Sequence, residues 1–241
     1  MRKYGLIGYP LSHSFSPGYF SEKFKREGIE GCSYRSYPLD AVEKFLDLED
    51  GGMSGLNVTI PYKEQVIPYL DEIEESAARI GAVNTILYRE GKKIGYNTDV
   101  YGFQKSIEDF IGVQSDMKAL VLGTGGAAKA VAYVLDILEI PFSYVSRKSQ
   151  YLNYNEVTPE VLSKHRLIIN TTPLGMSPRS ETFPHIPYVS VGKEHFFYDL
   201  VYNPEKTLFL SKAEAYGASI KNGYDMLLLQ AEKSWQIWNQ E

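Results

Sequence analysis

Short apolar runs alternate with amphipathic stretches along nearly the whole chain, a pattern that predicts strands followed by helices. The clearest instance is Ala119-Leu120-Val121-Leu122, which enters Gly123-Thr124-Gly125-Gly126 and leaves as the alanine-rich Ala127-Ala128-Lys129-Ala130. It predicts a buried strand, a tight loop and a helix over 127–138. A strand over 142–146 then completes a β-loop-α-β unit of about 30 residues. Upstream, the pattern predicts a strand over 4–9 stopped by Pro10, a helix over 18–27 with Pro17 in its first turn, and a strand over 34–39. A helix over 40–48 capped by Asp40 follows, and then a strand over 55–60 closed by Pro61. In that strand Leu56, Val58 and Ile60 share one face, and Asn57 and Thr59 share the other. Next come a helix over 66–80, a strand over 81–88, a hairpin turn at Gly91-Lys92-Lys93 into 94–99, and a helix over 101–110. Between Arg147 and a strand over 166–170 only one short helix, 159–164, is predicted, so the middle of the second sheet is abbreviated. Strands over 196–202 and 218–222 and helices over 207–215 and 223–238 close the chain.

With 241 residues there is room for one large domain or two modest ones. A formal net charge of −5 creates no field that recruits nucleic acid or an anionic membrane. Cys32 is the single cysteine, which excludes an intramolecular disulfide and a cysteine-rich metal site and fits a cytoplasmic location. The basic Met1-Arg2-Lys3 precedes an apolar run broken by Pro10 and Ser12-His13-Ser14, unlike a signal peptide. No apolar run is long enough to span a bilayer. His13, His165, His185 and His195 lack metal-ligand spacing, so no metal is expected.

The candidate chemistry sits at the ends of the predicted strands, where open α/β sheets bind ligands. Gly123, Gly125 and Ala128 fill G-x-G-x-x-A, either a dinucleotide-binding turn or a structural one. A carboxylate gripping a ribose 2′-hydroxyl belongs at the end of the next strand, yet Ser146-Arg147-Lys148-Ser149 stands there. That turn suits a 2′-phosphate, hence NADP; the alternative is a solvated basic turn. Ser14 and Ser16 point the same way along an extended backbone and can hold a carboxylate, unless one simply caps the helix. Lys63 follows the polar face of Asn57 and Thr59, as a functional ammonium or a surface lysine. Asn84 and Asp99 lie on opposite arms of the predicted hairpin, Asp99 being equally suited to a helix cap. Gln230 sits among apolar residues of the last helix, as a ligand or a surface residue.

Eight segments in order carry a resemblance to shikimate dehydrogenases: Ser14-Phe15-Ser16-Pro17, Asn57-Val58-Thr59-Ile60-Pro61-Tyr62-Lys63, Gly81-Ala82-Val83-Asn84-Thr85, Asn97-Thr98-Asp99, Gly123-Thr124-Gly125-Gly126-Ala127, Asn170-Thr171-Thr172-Pro173-Leu174-Gly175-Met176, Tyr198-Asp199-Leu200-Val201-Tyr202-Asn203-Pro204, and Gly223 to Gln230. The resemblance implies a two-domain α/β protein with its active site in the cleft between the domains. Residues 1–100, joined by the C-terminal helix 224–241, would bind substrate, and 101–223 would form a Rossmann-like, doubly wound NADP-binding domain. It implies NADPH-dependent reduction of 3-dehydroshikimate to shikimate, a step toward chorismate and the aromatic amino acids, in a cytoplasmic monomer or homodimer. By position, Ser14 and Ser16 would hold the substrate carboxylate, with Thr59 and Tyr202 nearby. Asn84, Asp99 and Gln230 would hold its hydroxyls, and Lys63, paired with Asp99, would shuttle the proton. Gly123, Thr124, Gly125, Gly126 and Ala127 would cradle the pyrophosphate. Ser146, Arg147 and Lys148 would hold the 2′-phosphate, and Leu200 and Gly223 would lie at the nicotinamide. The family usually carries Asn-Arg-Thr where this chain has Ser146-Arg147-Lys148, so the adenine contacts differ. An NAD-linked quinate/shikimate dehydrogenase and a non-catalytic sensor are the competing readings. The serine pair with the basic turn opposes the first, and the presence of both Lys63 and Asp99 opposes the second.

Overall fold

The computed structural model describes residues 1–12, 14–112 and 116–240; His13 lies outside the described residues. The chain forms two compact units, Met1–Thr98 with Ala231–Glu241, and Asp99–Gln230.

The first unit is built on a six-stranded mixed sheet. Its strands are β1 (Arg2–Gly8), β2 (Cys32–Pro38), β3 (Met53–Val58), β4 (Glu72–Ile73), β5 (Thr85–Arg89) and β6 (Lys92–Tyr96), in the order β2-β1-β3-β5-β6-β4. β1 pairs in parallel with β2 and β3, whereas β3–β5 and β5–β6 are antiparallel. Helix α1 (Ser16–Arg26) begins two residues before the expected start, with Pro17 in its first turn and no side-chain cap. Ser16 is therefore a helical residue and not the cap.

Three expectations fail here for local reasons. Residues Val42–Gly51 form a 3-10 run, not an α-helix capped by Asp40. Its buried Val42 and Phe45 are three apart, the repeat of a 3-10 turn, and Asp40 pairs instead with Lys44 at 2.7 Å. The helix expected over 66–80 is broken by Pro68 into a 3-10 turn (Ile67–Tyr69), the short β4 and α2 (Glu75–Ile80). Glu74 caps α2, accepting from Ser76 N–H and Ala77 N–H. β3 ends at Val58, so alternation stops there: Ile60 is 74% exposed, not inward, while Asn57 is buried.

The second unit carries five parallel strands, β7 (Ala119–Leu122), β8 (Phe142–Val145), β9 (Leu167–Asn170), β10 (Phe196–Asp199) and β11 (Ser219–Lys221). Their order, β11-β10-β9-β7-β8, reverses direction between β7 and β9. That is a doubly wound sheet, and its switch point lies where loops 123–126 and 171–175 leave neighbouring strands. Its helices are α4 (Gly126–Ile137), α5 (Pro159–Lys164) and α6 (Leu208–Glu214), with most of α3 (Thr98–Ile111), which starts at the last residue of the first unit, and the start of α7 (Tyr224–Trp238), which belongs to the first unit from Ala231 on. The abbreviation falls at an edge of this sheet, not its middle. β8 is the last strand of the order, and among the described residues only a parallel bridge between Val145 and Leu152 lies beyond it. The core of the unit gathers Leu120, Leu122, Ile168, Phe197, Phe209 and their neighbours, all nearly solvent-free.

Candidate active site

The first unit holds its polar strand ends by hydrogen bonds among buried side chains. Asn84, just before β5, is 3% exposed, and its Oδ1 accepts from Thr98 N–H at 2.7 Å at the start of α3. Thr98 Oγ1 and Thr85 Oγ1 face the same oxygen at 3.2 and 3.1 Å. Asn57 Nδ2 donates toward Ser234 Oγ at 3.0 Å and Thr85 Oγ1 at 3.2 Å. Tyr34 Oη donates to Asn57 Oδ1 at 2.8 Å, and Ser16 bonds in turn to the Tyr34 phenol, whose burial raises its pKa. Ser16 and Asn84 are thus joined through one network. The segment after β3 is fixed by its backbone: Thr59 N–H donates to Ile7 O, Tyr62 N–H to Thr59 O, and Val83 N–H to Lys63 O at 2.8 Å. Lys63, Thr59 and Ser14 are half-buried.

α1 and the end of α7 are tied by Lys23, which is 4% exposed and bonds Glu232 at 2.8 Å and Glu27 at 3.0 Å. Trp238, at the end of α7, stacks on Tyr4 with centroids 4.9 Å apart, and its indole N–H donates to Ile86 O at 2.9 Å. Gly55 admits that indole, because a Cβ there would lie 2.2 Å from Trp238 Nε1.

Two groups of expected cofactor residues come together in the second unit. Gly123 has φ of +110°, and a Cβ on it would meet Thr171 Oγ1 at 2.7 Å, so the backbone itself demands glycine. Gly125 precedes α4 without a side-chain cap, at an ordinary φ of −82°. A Cβ on Gly125 or Gly126 would meet nothing within 4 Å. Among the described residues, no protein atom requires glycine at either position. The bare residues instead leave the first N–H groups of α4 open to close approach by an anion, as a pyrophosphate needs. Ser146 is buried; its Oγ accepts from Lys148 N–H at 3.2 Å and lies 3.5 Å from Thr124 Oγ1, which folds the basic turn beside the glycine turn. Arg147 and Lys148 are exposed, and no carboxylate ends β8. These residues fit an NADP. Leu200 and Gly223 form the other group: a Cβ on Gly223 would lie 2.2 Å from Leu200 O.

Asp99 stands in the first turn of α3, directly after Thr98, whose N–H donates to Asn84 Oδ1. Gln230 is buried in α7, with Nε2 donating to Leu227 O at 2.9 Å. Tyr202 is half-buried, and burial raises its phenol pKa.

One buried carboxylate carries no role in the sequence reading. Asp199, at the end of β10, is 0% exposed. Its Oδ1 accepts from Asn170 Nδ2 at 2.9 Å and Val201 N–H at 3.0 Å, and its Oδ2 from Thr207 Oγ1 at 2.6 Å. Burial pushes its pKa up to about 6 against those hydrogen bonds. Asn170 Oδ1 accepts from Thr172 N–H at 3.1 Å, and Asn170 Nδ2 donates to Leu174 O at 3.2 Å, so Asp199 anchors the loop beneath Gly123. The available signal was an acid closing an otherwise apolar strand. Ser234 gave less: a serine on the last helix.

Comparison with known proteins adds four findings. Residues 6–86 match the family model described as the shikimate dehydrogenase substrate binding domain. A relative from Carboxydothermus hydrogenoformans, named shikimate dehydrogenase (NADP(+)), is 38% identical over 256 residues, covering 97% of this chain and 90% of its own. A solved shikimate 5-dehydrogenase from Thermus thermophilus, in complex with NADP(H) and shikimate, superposes with a TM-score of 0.88 at 32% identity, covering 99% of this chain and 94% of that one. A quinate dehydrogenase from Corynebacterium glutamicum in complex with NAD shares the fold at a TM-score of 0.87 with 26% identity, covering 99% and 93%.

Proposed function

The chain belongs to the shikimate dehydrogenase family, and from that premise we propose how its own residues carry out NADP-linked interconversion of 3-dehydroshikimate and shikimate. The observation that carries the proposal is the bare N-terminus of α4 at the switch point of the second sheet, beside a strand end that offers Arg147 and Lys148 in place of a carboxylate. Residues 101–223 take the cofactor. Residues 1–100 with 224–241 take the substrate.

When bound, NADPH supplies a hydride to the ketone carbon. The carbonyl oxygen becomes an alkoxide, and the Lys63 ammonium stabilises and protonates it. Asp99 is the carboxylate assigned to Lys63 as its partner. Ser14 and Ser16 hold the substrate carboxylate with neutral hydroxyls, with Thr59 and Tyr202 beside it. Asn84, Asp99 and Gln230 hold the ring hydroxyls. Gly123, Thr124, Gly125, Gly126 and Ala127 bind the pyrophosphate through backbone donors. Ser146, Arg147 and Lys148 bind the 2′-phosphate, and Leu200 and Gly223 lie along the nicotinamide. The enzyme works in the cytoplasm as a monomer or homodimer, with a small molecule as its partner and neither nucleic acid nor membrane. No described helix is long and apolar enough to cross a membrane.

Incubation of the protein with 3-dehydroshikimate and NADPH, with the product identified by mass and chromatography, tests the assignment. One shikimate formed per NADPH oxidised is the expected result. Cofactor oxidation without shikimate would refute it.

A further inference from the structure

Polar residues from four elements of the first unit meet at one fully buried hydroxyl. Ser234, on α7, is 0% exposed. Its Oγ lies 3.0 Å from Asn57 Nδ2, 2.8 Å from Thr85 Oγ1 and 3.2 Å from Thr98 Oγ1, which come from β3, β5 and the first residue of α3. Thr85 and Thr98 are themselves 0% and 1% exposed, so each hydroxyl must find its partners inside the protein.

Hydrogen accounting fixes one orientation. The N–H of Thr98 can only donate, so the atom of Asn84 that faces it at 2.7 Å is the amide oxygen. The Thr85 and Thr98 hydroxyls crowd that same oxygen. Among the described residues, the Nδ2 of Asn84 spends neither of its hydrogens on the cluster. Asn57 extends the network the other way: its Oδ1 accepts from Tyr34, which bonds Ser16. One hydroxyl thereby touches both branches, the one ending at the asparagine amide and the one ending at the first serine of α1.

We propose that Ser234 is a positioning residue of the substrate site: through Thr85 and Thr98 it holds the Asn84 amide with its N–H groups turned toward a substrate hydroxyl, and through Asn57 and Tyr34 it steadies Ser16. This rests on the assignment of Asn84 to a substrate hydroxyl. Ser234 itself touches no substrate. The N–H of Thr98 denies the amide its alternative rotamer, donor against donor, and Ser234 acts by keeping the Thr85 and Thr98 hydroxyls turned toward the same amide oxygen.

Steady-state kinetics of the full chain with shikimate and NADP+ test it. Ser234→Ala is expected to raise the KM for shikimate about tenfold, the scale of one well-placed hydrogen bond, and to leave the KM for NADP+ unchanged. In an Asn84→Ala background the same substitution should cost less than about twofold, since the residue it acts through is gone. Thr85→Val removes a hydroxyl of the same cluster at constant volume and should reproduce both results, so the test survives if Ser234→Ala folds poorly. An unchanged shikimate KM in both single variants, or full additivity with Asn84→Ala, would overturn the positioning role. Wild-type protein that leaves shikimate untouched would fail earlier, refuting the substrate assignment itself.

Discussion

The strand ends of the two units are built on opposite principles. In the first, Asn57, Asn84, Thr85, Thr98 and Ser234 are all 5% exposed or less and bond to one another. In the second, the glycine turn presents backbone donors and empty space, and its cations stand in solvent. Recognising the hydroxyl pattern of a small ring needs side chains aimed to a fraction of an ångström, and a buried network supplies that aim. Holding a pyrophosphate needs only N–H groups and room. The first region should therefore fail through lost orientation, and the second through lost space or lost charge.

The largest effect expected falls on the first region. Lys63→Ala should lower kcat by about 10²–10⁴-fold, the usual share of a general acid, with little change in the KM for shikimate. Near-normal turnover would remove the lysine from the chemistry. In the second region, Arg147→Ala should weaken NADP+ by roughly 10–100-fold, the scale of a charge-assisted bond, and leave NAD+ nearly as before. Equal losses for both cofactors, measured by titration, would remove the 2′-phosphate assignment.

A pair of glycine variants sharpens the contrast. Gly123→Ala forces a positive φ and a clash with Thr171, and should lower stability by about 1–3 kcal/mol in denaturant titrations. Gly125→Ala meets no atom of the described residues and should leave stability unchanged while weakening NADP+ about tenfold. Loss of stability in Gly125→Ala, or undiminished NADP+ binding, would mean that the space there serves the fold alone.

The last effect concerns Asp199 and shows only as a pH dependence. Its folded pKa lies above the ordinary carboxylate value, at about 6. Its stabilising contribution is therefore fully present below about pH 4 and is lost as pH rises through 6, a difference on the order of 3 kcal/mol. Asp199→Asn keeps the oxygen that faces Asn170 and Val201 and should flatten that part of the stability profile, read by denaturant unfolding between pH 4 and 7. An unchanged profile would show that Asp199 does not titrate there.

The second region was the more legible in the sequence, and the same contrast explains why. Ala119–Leu122, the glycine turn and Pro159–Lys164 are contiguous signals, each decided by neighbours a few residues away, and the strands and helix stand where the pattern puts them. The break at Pro68 was local too, yet the apolar spacing of Ile67, Leu70 and Ile73 masked it. The first region draws its order from distant partners. Asn57 stood out as a polar residue in an apolar strand, but its partner Ser234 lies 177 positions away, and nothing in the spacing of either residue names the other. Ile60 misled for the opposite reason: alternation was carried past Val58, where the backbone leaves the sheet. Asp199 and Asn170 close two strands 29 positions apart, and only the register of β9 against β10 sets them side by side.

The most direct measurement is initial-rate kinetics of the wild-type protein with shikimate and quinate, each against NADP+ and NAD+, followed by the absorbance of the reduced nicotinamide. The account predicts that shikimate with NADP+ has the highest kcat/KM of the four pairs. Preference for quinate with NAD+, or no turnover with any pair, would contradict it.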